Sequence, residues 1–173
     1  DKDRAIEIAT ETINTFENIY EKKWLNMMRD KLGLFGEDIN DHILIMELLT
    51  WMHKNKADDT NTFCFLMNEK FSDNKIYKDE NFLIWKEKWE SRLKLNNNNQ
   101  EKYLKLMHSV NPIIIPRNHK VEEALTAAND GDLEVMNKLL NVLEKPYENQ
   151  NSIVDFQSPA PSSDKAYQTF CGT

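Results

Sequence analysis

The stretch AIEIATETINTFENIYEKKWLNMM (5–28) decides the fold class of this chain. Its apolar residues recur every three or four positions, which places them on one face of an α-helix. They are Ile6, Ala9, Ile13, Phe16, Tyr20, Trp24, Met27 and Met28. Gly33, which follows the stretch, suits the left-handed position that ends a helix. The pattern therefore predicts one helix of about seven turns.

The remaining sequence also predicts helices rather than strands. Only four glycines in 173 residues, and no sustained period-two alternation, argue against a sheet. Helical spacing recurs in the segments 43–52, 63–67, 79–95, 103–110, 117–129 and 132–143. PIIIP (112–116) is expected to be extended because proline restricts both of its ends. We predict an all-α fold of six to seven helices in an irregular bundle, with residues 1–147 forming the helical part and 148–173 an extended tail.

Charge and composition argue against several classes of partner. The net charge is −7 and the mean hydropathy is −0.69. The basic residues are eighteen Lys and four Arg interleaved with acids, so we expect no nucleic-acid partner. No apolar run approaches the ~20 residues of a membrane helix, so we expect no membrane association. Two cysteines more than a hundred residues apart make no disulfide framework and predict a reducing, cytoplasmic setting.

Motifs of catalytic and cofactor chemistry are missing from the sequence. A nucleotide-binding protein often places a glycine-rich turn over the phosphates, and neither G-x-G-x-x-G nor G-x-x-x-x-G-K occurs here. Asp155-Phe156 is followed by Gln157 instead of the glycine of a metal-binding DFG motif. The four histidines have no chelating spacing, so we interpret them as surface or helix-end residues. The sequence predicts no catalytic, cofactor-binding or metal-binding residue in this chain.

Two motifs allow both a functional and a structural interpretation. Asp58-Asp59 could be a carboxylate pair for acid–base chemistry, but adjacent residues at a helix start point apart, which favours capping. EEALTAANDGDLEVMNKLLNVL (122–143) has the small-residue turn and leucine spacing of an ankyrin unit. Such a repeat needs stacked copies and no second copy occurs, which favours a helical hairpin packed on other helices.

Five segments, taken in order, resemble the C-terminal region of the selenoprotein O family. They are WLNMMRDKLGL (24–34), KADDTNTF (56–63), NPIIIPRN (111–118), EEALTAANDGDLEVMNKLLNVLEKPY (122–147) and the terminal CGT (171–173). Their order and spacing match the family over essentially the whole chain. Asp59 stands where an aromatic residue is expected, and the tail lacks a tryptophan that is common in the family. Neither departure touches the chemistry.

The resemblance implies an enzyme of which this chain is one part. Members of the family have a kinase-like (pseudokinase) body that binds ATP with a divalent metal, magnesium, and transfers AMP to hydroxyl side chains of other proteins. Their nucleotide and metal residues lie upstream of the resembling region, so none is assigned to this chain. We expect a non-catalytic helical fragment whose partners are the kinase-like body and the protein substrates. Because the first residue is not Met, we also expect the chain to begin inside a longer gene product.

Cys171 is the one site residue that the resemblance supplies. It occupies the position where animal members carry selenocysteine and many bacterial members carry cysteine, which implies redox control with a partner thiol in the kinase-like body. The alternative is an incidental thiol in the tail. Cys64, between Phe63 and Phe65, is predicted to be a small buried hydrophobe.

Two functions remain open from the sequence. The first is the fragment of a protein adenylyltransferase, and the alternative is a free-standing helical interaction module that docks through the 117–143 hairpin or the tail. A fragment should keep an uncovered apolar patch, since monomers rarely expose large ones. We expect that patch at Trp85 and Trp89 or along Ile113–Ile115.

Overall fold

The computed structural model describes residues 2–68, 75–95, 99–150 and 153–160. These ranges contain eight α-helices and a 3₁₀ turn, Ile76–Lys78, and no strand, so the all-α prediction is confirmed. The helices are α1 (Lys2–Lys31), α2 (Asp41–Asn55), α3 (Asp59–Leu66), α4 (Glu80–Lys94), α5 (Gln100–Val110), α6 (Asn118–Asn129), α7 (Glu134–Leu143) and α8 (Val154–Gln157). No helix within these ranges combines the length and apolarity needed to cross a membrane.

Short polar side chains and glycine set the helix ends in the first half of the chain. Gly33, two residues after the last residue of α1, has φ +69°, as its position in the sequence predicts. The Asp58 carboxylate accepts a hydrogen bond from the Asn61 amide at 2.9 Å and caps α3. Asp79 does the same for α4 by accepting from the Phe82 amide at 3.1 Å. The capping interpretation of the Asp58-Asp59 pair is therefore confirmed for Asp58.

The first of two compact units, Asp1–Ile113, contains an aromatic core. Phe82 lies at its centre and is fully buried, with ring centroids of Trp51 and Tyr77 at 4.5 and 5.2 Å. The indole N–H of Trp85 donates to the Leu44 carbonyl at 2.8 Å, and that of Trp89 donates to the Leu32 carbonyl at 2.9 Å. Aromatic packing and satisfied N–H groups together hold α4 against α2 and the end of α1.

This core contradicts the predicted location of the apolar patch. Trp85 and Trp89 each expose only 3% of their surface, Ile113 exposes 2% and Ile114 exposes 1%. Trp85 and Trp89 are covered because their face of α4 packs inside the first unit, where the indole nitrogens find main-chain acceptors. The prediction of an exposed patch at these residues is wrong.

The second unit, Ile114–Thr173, is built around the hairpin of α6 and α7. Gly131, with φ +88°, allows the tight turn between the helices, and the Asp132 amide donates to the Ala127 carbonyl at 2.8 Å. Ala124 and Leu139 are buried, one on each helix. The predicted hairpin is confirmed, with helix bounds within two residues of those expected.

The region after Pro146 contains a helical turn that the sequence did not indicate. In α8 the amides of Phe156 and Gln157 both donate to the Ile153 carbonyl, at 2.9 and 3.0 Å. One turn is too short to produce an apolar period, so periodicity could not find it. The proposed division at residues 147 and 148 stays a prediction, because residues 151–152 and 161–173 lie outside the described ranges.

Candidate functional site

The structure describes one of the two cysteines, Cys64, and not the other, Cys171. Cys64 on α3 is fully buried, with its sulfur 3.9 Å from the Ile113 carbonyl oxygen and 4.0 Å from that of Pro112. Its predicted role as a small buried hydrophobe is confirmed. Cys171 lies outside the described residues, so its redox role stays a prediction.

Titratable side chains in the described ranges do not assemble a metal site. Among those residues no group of three or more His, Cys, Asp or Glu side chains is placed to hold a metal ion. His42 lies beside Trp24, with ring centroids 6.1 Å apart. Asp59 is exposed on the first turn of α3, and its carboxylate is 3.8 Å from the Lys31 ammonium.

A cluster of charge is buried around Asp41, the first residue of α2. Arg29, near the end of α1, donates from Nε to one carboxylate oxygen of Asp41 at 2.7 Å. Arg92, near the end of α4, donates from Nε to the other oxygen at 2.7 Å, and its Nη2 lies 3.2 Å from the first. The Asp38 amide donates to Asp41 at 2.9 Å. Asp41 is 0% exposed, and both arginines are 7% exposed.

Hydrogen bonding keeps this buried carboxylate ionised. Burial alone would raise the pKa of Asp41, because a low-dielectric surrounding disfavours the charged form. The hydrogen bonds from Arg92, the Asp38 amide and Arg29 outweigh burial and hold the pKa below its ordinary value. Arg92 Nη2 also approaches the carbonyl oxygens of Phe35 and Gly36 at 3.3 Å each. The cluster thus joins three helices and the loop after α1, and both guanidinium groups are directed to protein acceptors.

An open groove runs along α2 and α4 beside this cluster. Two adjoining clefts of about 610 and 560 Å³ share the side chains of Ile43, Glu47, Ile84 and Lys88. The Lys88 ammonium is 2.7 and 2.9 Å from the two carboxylate oxygens of Glu47, so the two charges are paired with each other. The groove has apolar walls with a charged pair across it.

The second unit has a cleft of about 900 Å³ between α6 and the segment that contains α8. Its wall includes His119, Glu123, Asp130 and Asp155. Burial lowers the pKa of His119, and the charge of Lys120 lowers it further. The His119 imidazole, with its lowered pKa, gives this cleft a proton acceptor, and the Lys120 ammonium in the same wall donates to the Glu123 carboxylate at 2.8 Å.

Among the described helices, α1 carries the most exposed large apolar side chains, and most of them lie on its first part. Every residue from Lys2 to Lys23, which we call the α1 arm, is exposed. Six large apolar side chains on the arm expose between 50 and 71% of their surface: Ile6, Ile8, Ile13, Phe16, Ile19 and Tyr20. The sequence pattern placed four of these six on one helical face, without Ile8 and Ile19, and the exposure of that face was not predicted.

Sequence reasoning also missed the Asp41 cluster. The signal that could have found it is the scarcity of arginine in a chain with eighteen lysines. Three of the four arginines, Arg29, Arg92 and Arg117, are buried. A planar, always charged guanidinium is suited to buried carboxylate pairing, so rare arginines at helix ends indicated such a role.

Comparison with known proteins places these features in a family. The sequence model of the family described as protein adenylyltransferase SelO matches residues 5–144. This chain belongs to the SelO family. The match begins inside the α1 arm and includes the Asp41 cluster, so residues 5–23 of the arm and the cluster lie within the matched region.

Named SelO-family relatives align with nearly the whole chain. The protein nucleotidyltransferase YdiU of Pelagibacter ubique is 55% identical over 172 residues, which are 99% of this chain and 36% of that protein. The proteins of the same name from Clostridium perfringens and Nitrosococcus oceani are 45% and 41% identical, again over 99% of this chain and 35% of theirs. The chain therefore spans about a third of the length of these SelO-family relatives.

Proposed function

We propose that this chain is a non-catalytic helical part of a SelO-type protein adenylyltransferase, which transfers AMP from ATP to hydroxyl groups of proteins. The observation that carries the proposal is the coverage of the relatives. Proteins named nucleotidyltransferases contain a counterpart of this whole chain in only 35–36% of their length. The remaining polypeptide of such an enzyme is the part that we expect to bind ATP and magnesium. The reducing cytoplasm is the compartment that the cysteine content favours.

We propose that ATP and magnesium bind outside this chain, and the chemistry of its described residues supports this. In the described ranges no three carboxylate, imidazole or thiol groups converge, and the sequence lacks a glycine-rich phosphate loop. The guanidinium groups of Arg29 and Arg92 are buried and hydrogen-bonded to the Asp41 carboxylate, so they are not directed to a phosphate. We therefore assign no step of AMP transfer to a residue of this chain, and propose that its role is structural.

An AMP-transfer assay tests the proposal. The isolated chain, incubated with ATP, magnesium and an acceptor protein, is expected to add no AMP. The full-length Pelagibacter ubique relative is expected to add AMP under the same conditions, detected by mass spectrometry. Micromolar ATP binding by the isolated chain in calorimetry would contradict the non-catalytic assignment. If the full-length Pelagibacter ubique relative adds no AMP under these conditions, the proposed activity is contradicted.

The finer part of the proposal is that Cys171 is a redox-responsive thiol whose partner lies in the remaining polypeptide. An accessible thiol is the reactive kind, and Cys64 is too buried to compete with it. Thiol labelling of the native chain should modify Cys171 within minutes and Cys64 only after denaturation. Cys171→Ser should remove the fast phase, whereas Cys64→Ala should leave it. Slow labelling of Cys171 in the native chain, or a Cys64–Cys171 disulfide, would contradict this role.

The free-standing interaction module is the second candidate, and one observation favours it. Leu125, Leu133 and Leu140 on the α6–α7 hairpin are each at least half exposed. An antibody raised against this chain distinguishes the two candidates in extracts of its source cells. A single product near 20.4 kDa would support the module, and a product about three times larger would support the adenylyltransferase.

A further inference from the structure

The α1 arm has the properties of a surface that is built to be covered. A helix of 22 residues extends roughly 33 Å at 1.5 Å per residue, and every arm residue is exposed. Helices in proteins gain most of their stability from packing an amphipathic face on other elements, and unpacked helices are marginal in water. The arm instead presents six large apolar side chains to solvent, including the stacked rings of Phe16 and Tyr20 at 6.0 Å. Contiguous exposed apolar surface of this kind marks an interaction site.

The width of this face indicates the kind of partner. At about 100° per residue, the six side chains span an arc of about 160°, from Ile8 to Ile6. The opposite side carries Glu7, Glu11 and Glu21. A two-helix coiled coil buries only the narrow seam of a and d positions, whereas a helix on a globular body buries a wider stripe. The arc therefore fits a broad apolar surface and not a single partner helix.

Thr12 is the one polar side chain between residues 6 and 20 that falls within this arc, and it is already satisfied. Thr12 lies between Ile8 and Phe16 around the helix, and its hydroxyl donates to the Ile8 carbonyl of the same helix at 2.8 Å. Its outward surface is then mainly a methyl group. A partner can cover this face without leaving an unpaired hydroxyl, which removes the usual penalty for burying a polar group.

We propose that the α1 arm docks, through the face centred on Ile13 and Phe16, onto the polypeptide that SelO relatives carry and this chain lacks. The inference rests on the proposed function and names its docking surface. The relatives have roughly two-thirds of their length outside the match, enough for a separate globular body. The family match begins at residue 5, so the arm belongs to the shared region and is not an appendage.

A second copy of this chain fits the arm less well. Coiled-coil pairs are specified by charged residues that flank the seam. With Ile6, Ile13 and Tyr20 at a positions, the flanking e and g positions between Ala5 and Ile19 contain only one charged residue, Glu17. Self-pairing would therefore have no charge complementarity, and would also leave part of the wide arc in water.

Hydrogen exchange on a joined protein tests the proposal. This chain replaces the 172 matched residues of the full-length Pelagibacter ubique relative, and amide exchange of residues 8–20 is compared with that of the isolated chain. We expect exchange to slow by at least tenfold in the joined protein. Ile13→Asp with Phe16→Asp should abolish the slowing, whereas the matched pair Asn14→Asp with Asn18→Asp on the opposite face should preserve it. Unchanged exchange in the joined protein would overturn the inference.

Further measurements keep the test decisive. If the joined protein does not fold, the same comparison is made between the full-length relative and its own matched segment. An isolated chain that is dimeric by light scattering, and becomes monomeric with Ile13→Asp and Phe16→Asp, would assign the face to a second copy and overturn the inference. Protection of the arm without AMP transfer would support the docking surface and contradict the proposed function. AMP transfer with an unprotected arm would support the proposed function and contradict the docking surface.

Discussion

The two ends of α1 have the same apolar spacing and opposite environments. Met28 and Arg29 near its C-terminus are buried, and the Leu32 carbonyl that follows accepts from Trp89. Ile13 and Phe16, four turns earlier, expose 71 and 66% of their surface. The C-terminal end packs with α2 and α5 and accepts a bond from α4 just beyond its last turn, whereas the residues of the arm are all exposed. Amphipathic spacing thus records that a face is suited to burial and does not specify what buries it.

Removing Asp41 should cost more stability than any single change on the arm. Asp41→Ala leaves two buried guanidinium groups without their carboxylate, which costs about 3–5 kcal/mol. Ile13→Ala should change the free energy of unfolding of the isolated chain by less than about 0.5 kcal/mol, because the side chain is exposed. Urea unfolding followed by circular dichroism measures both. Equal losses would mean that the arm is packed in the isolated chain.

Two glycines extend the comparison to the second unit. Gly33→Ala should lower the free energy of unfolding by about 1–2 kcal/mol, because alanine disfavours the left-handed backbone at this position. The loss should be larger still because the new Cβ would lie 3.0 Å from Met107 Cγ and from Tyr103 Cβ. Gly131→Ala meets no atom within 4 Å and should lose only the backbone contribution. The melting temperature should therefore be highest for the wild type, lower for Gly131→Ala and lowest for Gly33→Ala. A Gly33→Ala protein as stable as Gly131→Ala would show that Met107 and Tyr103 move aside at little cost.

Local sequence signals predicted most of the fold. The helical periods, the Asp58 cap, the Gly33 terminus and the α6–α7 hairpin each depend on residues within a few positions of one another. The Asp41 cluster depends on residues 12 and 51 positions apart, and no local pattern encodes such a pairing. Trp85 and Trp89 show the same apolar spacing as the arm, so spacing alone could not tell the covered face from the exposed one. Cys171, which came from the resemblance alone, lies outside the described residues.

The smallest expected effect is in how the free energy of unfolding changes with pH, which should differ between a variant at Asp41 and a variant on the arm. The pKa of Asp41 is below its ordinary value of 3.8 in the folded chain, so near that pH the unfolded chain binds more protons at this group. The contribution of Asp41 is therefore fully present well above pH 3.8, and is lost as pH falls through the lowered folded-state pKa.

Asp41→Asn removes this titration while keeping the side-chain shape. The gap in unfolding free energy between wild type and Asp41→Asn should be constant from pH 7 to pH 5 and should shrink toward pH 3. Ile13→Ser adds no titrating group, so its curve should run parallel to that of the wild type throughout. Urea unfolding at each pH measures all three proteins. A gap for Asp41→Asn that stays constant down to pH 3 would mean that Asp41 has the same pKa in the folded and unfolded chains, and would contradict the lowered folded-state pKa. A gap that widens toward pH 3 would contradict the sign of the shift, because it would require the folded chain to bind the proton at Asp41 more tightly than the unfolded chain does.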